Sequence, residues 1–399
     1  MKRMERIWLR PSYKIGFFCH LSKNLYNEAN YIVRQNFFKT GKWVRYNELA
    51  YQLKGSENYR QLPAQTGQQI LKIVERNWKS FFRSIKTYKK HPEKYRKKPS
   101  LPKYKKKDGE FMLVFTNQQC HLRDGFVVFP KKIREALDKI ETRIKKGLKE
   151  VRVIPKAVGY VLEIIYDKTF KKIKRDKNRV AGVDIGVRNL VAIANNIGEK
   201  PIVVKGRTAK NINQYFNYHK SRLQSIYDRQ EIKTGYRAKR LFVKRNKKLS
   251  DYLHKVSRRV VEYLVDHDIG LLVIGHNDNW KQKSNIGKRN NQNFVSIPFY
   301  KLIQMLKYKC EEQSIDVVIQ EESHTSVCSF YDDESVEHHE EYVGKRNRGL
   351  FRTAKGLVVN SDVNGALNII KKAVPDAFER LDADRMEDAV SHPSRLEVF

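Results

Sequence analysis

Beyond residue 179 the chain alternates short apolar runs with long amphipathic stretches, and this alternation restricts its possible folds more than any other feature. "VAGVDIGVRNLVAIANN" reads as a strand, a turn and a second strand, and "KPIVVKG" as a third. A long basic helical region follows from about residue 211 to 266. After it come the strand "GLLVIGHN", the helix "YKLIQMLKYKCEEQ", the strand "DVVIQEE" and a closing helix, "SDVNGALNIIKKA". Alternating elements of this kind bury apolar side chains against a shared sheet, so a mixed α/β sheet is expected.

The N-terminal half has a different rhythm. Leu21, Leu25, Ala29, Ile32, Val33 and Phe37 recur at helical spacing, and so do Ile70, Ile73, Val74, Trp78, Phe81, Phe82 and Ile85 between Gln65 and Lys86. The second helix carries Gln65, Gln68, Gln69, Lys72, Arg76 and Lys79 on its other face. Amide and cationic side chains there can contact base edges and phosphates, although any solvated helix face has a similar composition. Residues 86–107, "KTYKKHPEKYRKKPSLPKYKKK", mix Lys and Arg with Tyr and Pro; proline interrupts a long helix, so an extended loop is expected. Short β-rich runs over 111–166 suggest a small antiparallel barrel or sheet, and the charged stretch 168–179 leads into the next domain.

Lys and Arg total 81 against 44 Asp and Glu, a formal charge of +37 and a pI near 9.9. Such self-repulsion is relieved by a polyanion, which points to nucleic acid. No apolar run approaches the ~18 residues of a spanning helix, and "MKRMERIWLRPSYK" has no apolar core, so no membrane partner and a cytoplasmic location are expected. Cys19, Cys120, Cys310 and Cys328 form no CxxC pair, which argues for ordinary thiols rather than a disulfide framework or a zinc site.

Against this basic background several acids stand out. Asp184 interrupts an apolar strand beside glycines, where a lone charge needs a partner and a bound cation can supply it. Glu321 and Glu322 end the strand "DVVIQEE"; alternation along a strand sends one toward a site and the other away. Asp362 opens the last helix, where a capping role is equally natural. Carboxylates at strand ends and a helix start suit hard cations such as Mg²⁺, two of which ~4 Å apart stabilise the attacking and leaving oxygens of a phosphodiester.

The motifs "GVDIGVRNLVAIA", "VIGHNDNWKQ", "NIGKRNNQNFVSIPF", "LKYK", "EESHTS" and "SDVNGALNIIKK" resemble the RuvC nuclease domain of the TnpB family. These are RNA-guided DNA endonucleases encoded by bacterial insertion sequences and related to type V CRISPR effectors. "LYNEANYIVRQ", "LPAQTGQQILKIVERNWKSFFRSIKTYKK" and "PSLPKYKKK" resemble that family's recognition helices and wedge barrel more loosely, so the likeness spans roughly residues 5–375. The resemblance implies an α+β multidomain protein. A wedge-like β-barrel (1–20 and 103–175) would hold an inserted helical recognition domain and basic loop (21–102). An α/β RNase H-like (RuvC) nuclease domain (176–375) would follow, with a lid-like insertion (327–360) and an expected disordered tail (376–399).

By the same resemblance, a guide RNA from the transposon end pairs with target DNA while the protein reads a short adjacent motif in the duplex. One protein per RNA is expected. Asp184, Glu322 and Asp362 would hold two Mg²⁺, with Mn²⁺ a substitute. Tyr46, Gln65, Gln69, Thr116 and Asn117 would read the motif, with Lys72 and Arg76 on the same helix, while Arg346, Arg348 and Arg352 would guide a strand toward the metals. Two departures qualify this. Gly275 stands where most relatives carry their second acid, which suggests either an inactive, DNA-binding repressor or an acid moved one strand spacing along the sheet. "ESHTS" resembles the rearranged form and favours Glu322 over Glu321. The family's paired CxxC module is also absent, so no zinc is expected, and His338 and His339 are poorly disposed as metal ligands because adjacent side chains diverge.

Overall fold

The computed structural model describes residues 1–277, 287–379 and 393–398, and divides the chain into two compact units, 1–170 and 171–399. The architecture is mixed α+β.

In the first unit, β1 (Lys2–Leu9) leads into α1 (Tyr13–Thr40), which starts eight residues before the apolar periodicity expected from Leu21. Ser12 explains the early start: its side chain accepts the Ile15 N–H, while at the other end Gly41, at φ 69°, closes the helix. Two short helices the sequence reading missed, α2 (Tyr46–Leu53) and α3 (Glu57–Gln61), precede α4 (Ala64–Lys90). The fully buried Trp78 of α4 donates its indole N–H to Asn30 of α1 at 3.0 Å, which satisfies two polar groups inside an otherwise apolar contact. The basic stretch does run irregularly after His91 and Pro92, but it is tied down: Asn30 and Arg34 donate to the Pro102 carbonyl, and Asn27 exchanges bonds with the Lys105 backbone.

The unit has seven strands, β1 included. After β2 (Leu113–Thr116), β3 (His121–Arg123), β4 (Phe126–Val128) and β5 (Ile140–Glu141) come the long β6 (Leu148–Pro155) and β7 (Tyr160–Asp167). They form an antiparallel sheet in the order β1-β7-β6-β2 and a smaller one, β3-β4-β5.

The second unit is built on a six-stranded sheet. Its first strands, β8 (Val180–Asp184), β9 (Asn189–Asn195) and β10 (Ile202–Lys205), form an antiparallel meander. The expected single basic helix is two, α5 (Arg207–Arg229) and α6 (Tyr236–Asp266), because Glu231 takes a positive φ and Gly235 follows. Then come β11 (Leu271–Gly275), α7 (Lys288–Ser296), α8 (Phe299–Glu312) and β12 (Asp316–Gln320). A hairpin sheet of β13 (Lys345–Asn347), β14 (Leu350–Arg352) and β15 (Val358–Asn360) runs directly into α9 (Ser361–Ala373). The described end of the tail is not disordered: β16 (Ser394–Arg395) pairs in parallel with β10, giving the order β12-β11-β8-β9-β10-β16. The middle of the tail, 380–392, lies outside the described residues, as does 278–286, which holds most of "NDNWKQ".

Alternation along the strands sorts the core into two layers. Ala181, Val183, Leu272 and Ile274 pack with α6 and α8, while Val180 and Val273 pack with Ile369 and Ile370 of α9. Among the described residues no helix is long and apolar enough to cross a membrane.

Candidate functional site

Asp184 ends β8 on the face that carries α9. Two glycines let the helix approach: a Cβ at Gly182 would stand 2.2 Å from the Ala366 carbonyl oxygen, and one at Gly365 would stand 3.1 Å from Asp184 Oδ2. β11 runs parallel beside β8, with Ile274 opposite Val183, so Gly275 falls level with Asp184. On the far side of β11 lies β12, with Gln320 opposite Gly275.

β12 ends at Gln320, so Glu322 lies two residues beyond the second strand from Asp184, not on the first, a span of roughly 10 Å at the usual interstrand spacing. It leans back over the bare position: Glu322 Oε2 lies 2.8 Å from where a Gly275 Cβ would be. Asn277 holds the turn by accepting the Glu322 backbone N–H at 3.0 Å. Glu321 faces elsewhere. Lys372 stands 2.7 Å from its Oε2, Ser323 donates to its Oε1, and these bonds lower its carboxyl to about 2.

Asp362 is not the cap of α9. Asn360 takes that role, its side chain accepting the backbone N–H groups of Asp362 and Val363, which leaves the Asp362 carboxylate available. Asn189, at the start of β9, donates to Asp362 Oδ2 at 2.9 Å, and Arg346 of β13 stands 3.3 Å from Oδ1. Arg348 does something different. With Gly349 it forms the positive-φ tip of the β13–β14 hairpin, and its carbonyl, rather than its guanidinium, accepts a hydrogen bond from Arg188. Arg352 is exposed on β14.

Asp184 senses the other two acids. Burial, then the charges of Asp362 and Glu322, push the Asp184 carboxyl well above the ordinary range, with Arg346 pulling the other way. Glu322 is raised to about 7, by burial first and then by Glu321. Even so, among the described residues no three acidic, His or Cys side chains are gathered into a ready-made metal cage. The donor chemistry still fits a hard divalent ion: three carboxylates crowd a partly buried region with Arg346 as the cation beside Asp362.

Hydrogen bonds and ring contacts hold the segment between β12 and β13. Its buried Glu334 accepts backbone N–H groups from Ser329 at 2.6 Å and Val343 at 3.1 Å. From α9, Asn368 donates to the carbonyls of Thr325 and Cys328, and Asn364 also donates to Cys328. His324 meets Tyr342 at 3.0 Å and packs edge-on against His338, while His339 packs against Tyr342.

In the first unit, Gln65, Gln69, Lys72 and Arg76 share one face of α4. Tyr46 lies beneath Lys72, whose ammonium is 5.0 Å from the ring centroid. Gln65 accepts from the Thr116 hydroxyl and donates to Gln118 at 3.0 Å, which joins α4 to the end of β2, and Asn117 beside them is exposed. The sequence reading missed Asn189, Asn277 and Arg188. Only the polarity of "VRN" and "HN" at strand ends could have flagged them, because their partners are remote in sequence.

The sequence matches the family profile OrfB_IS605, described as a probable transposase, over residues 163–281, and that of the Cas12f1-like TNB domain over 299–369. It is 26% identical over 409 aligned residues to the TnpB-like protein ORF457 of Acidianus two-tailed virus, covering 90% of this chain and 83% of that protein. The fold is similar to Cas12f1 in a complex with single guide RNA and target DNA, with a TM-score of 0.54 and 11% identity over 90% of this chain and 83% of the other. It is also similar to the mini-RNA-guided endonuclease CRISPR-Cas_phi3, with a TM-score of 0.50 and 10% identity over 94% and 92%. Two family profiles in chain order and a TnpB-like relative spanning most of both proteins agree, and the fold is of the same kind: the chain is similar to TnpB-like proteins along most of its length.

Proposed function

We propose that this protein is an RNA-guided DNA endonuclease of a transposon that cuts target DNA beside a short flanking motif, with Asp184, Glu322 and Asp362 as the acids of an RNase H-like, RuvC-type site. The observation that carries this reading is the position of Glu322, whose carboxylate occupies the space left by Gly275 on the strand next to Asp184. A structural glutamate at a strand end would turn to solvent or to a cation, as Glu321 does. The TnpB-like relative and the solved structures of similar fold, one of which holds guide RNA and target DNA, support guided cleavage.

Asp184, Glu322 and Asp362 would hold the divalent ions, Mg²⁺ or Mn²⁺, whose chemistry is to activate water and to stabilise the departing oxygen. The chain's own residues prepare the site. Asn189 orients Asp362, Asn277 fixes the backbone at Glu322, and Gly275 and Gly365 keep bulk away from the carboxylates. Arg346 balances charge at Asp362 and offers a guanidinium to an incoming phosphate. Tyr46, Gln65, Gln69, Thr116 and Asn117 read the flanking motif, with Lys72 and Arg76 contacting the backbone beside it.

One observation favours a second reading, guided binding without cutting: Asp362 is paired with Arg346, and the acids do not form a finished cage. The deciding experiment is cleavage of a plasmid library with randomised flanks by protein co-expressed with its transposon-end RNA. Cuts that require RNA, Mg²⁺ and a defined flank, and vanish in Asp184→Asn, are expected. Flank-specific binding with no cuts in the wild type would establish the repressor reading instead.

A further inference from the structure

The α5–α6 hairpin has no part in the site above, yet it contains a cavity of about 300 Å³. Its walls are apolar, with Ile212 and Phe216 from α5 and Leu241 from α6, while Lys244 and Lys248 line it as exposed side chains one turn apart. Tyr215 stands at the mouth with 55% of its surface exposed. Arg245 is a fixed part of the wall: Nε donates to the buried Asn213 at 2.8 Å, Nη2 to the Ser296 carbonyl at 2.6 Å, and the guanidinium lies 5.6 Å from the Phe216 ring centroid. The surroundings repeat the theme, with exposed Tyr218, Tyr236 and Phe242 on a hairpin whose second helix has no acidic residue from Tyr236 to Lys248.

We infer that this cavity receives a single unstacked nucleobase of the bound RNA. A slot with an apolar floor excludes a hydrated phosphate but accepts a flat ring, and Tyr215 at its lip offers a face for stacking. Lys244 and Lys248 stand where the phosphates flanking that ring would lie. Charge complementarity selects a polyanion, and the apolar slot selects a strand whose bases are free of a duplex; RNA loops and bulges present such bases whereas duplex target DNA does not. The inference rests on the guide-RNA reading above and adds a separate contact to it.

The test compares full-length wild type, Tyr215→Ala, Tyr215→Phe and the double variant Lys244→Ala/Lys248→Ala. Fluorescence anisotropy with labelled oligouridylate and oligoadenylate measures affinity, and ultraviolet cross-linking of the co-purified RNA identifies the modified peptide by mass spectrometry. Tyr215→Ala should weaken binding about tenfold, the loss of one stacked base, while Tyr215→Phe stays near wild type and the cross-link maps to the peptide containing Tyr215. The double lysine variant should bind more weakly with a shallower salt dependence. RNA binding by wild type with unchanged affinity in Tyr215→Ala and no cross-link there overturns this inference alone. If wild type retains no RNA, the inference falls together with the guide-RNA reading. Equal Tyr215-dependent binding of oligothymidylate would assign the slot to single-stranded DNA instead.

Discussion

Gly275 and Glu322 form a complementary pair: the glycine is small where the glutamate needs room. An added Cβ at Gly275 would sit 2.4 Å from Ile369 Cδ1 and 2.8 Å from Glu322 Oε2, so both neighbours would have to yield. Gly275→Ala should therefore reduce cleavage about 100-fold through displacement of the carboxylate, with a loss of stability of only about 1–3 kcal/mol. Equal residual activity at Gly275→Ala and wild type would sink that account. The adjacent glutamates offer a sharper contrast. Glu322→Gln removes a charge that pushes on Asp184, so the ion-free protein should melt about 2–4 °C higher while plasmid cleavage falls on the order of 10³-fold. Glu321→Gln, which loses only an exposed ion pair, should leave cleavage within a few-fold. A reversed pattern in parallel cleavage assays would transfer the role to Glu321.

At the scale of elements, α9 organises the second unit. It covers the face of the sheet that carries Asp184, presents Asp362 in its first turn, and holds the segment before β13 through Asn364 and Asn368. A buried amide, a buried carboxylate and a His–Tyr cluster share that last task. Removing the Asn368 amide takes this donor from the Thr325 carbonyl, at about 1–3 kcal/mol, while Asn364 still serves Cys328. Asn368→Ala should accordingly speed limited proteolysis within residues 326–343 and lower the melting temperature. A zinc chelator should change neither. Chelator-dependent loss of protection in the wild type would contradict the metal-free account of this segment.

For the whole molecule the excess of cationic residues dominates. With +37 formal charge, association with a polyanion releases counterions, so RNA affinity should fall about 10³-fold between roughly 50 and 200 mM salt, a slope near −5 in a double-logarithmic plot. A flat response in filter-binding measurements would mean that the cationic surface is not the binding surface. Charge alone says nothing about where the RNA lies, which is why the α5–α6 slot needs its own variants.

What the sequence determined by itself was local: the periodicities that place strands and helices, and the apolar context that makes Asp184 conspicuous. The start of α1 was read less well, since Ser12 acts through a side-chain cap rather than apolar spacing, whereas the last helix begins at Ser361 as expected, although Asn360 and not Asp362 caps it. Tertiary structure decided the rest. Only strand order shows that Glu322 reaches across β11 from the second strand, and only the folded hairpin brings Arg346, and not Arg348, to Asp362. Asn189 meets Asp362 across 173 residues of chain. Periodicity is written in neighbouring residues and survives in a linear reading. Contacts across a sheet depend on pairing and register, which are settled when the apolar faces close on one another.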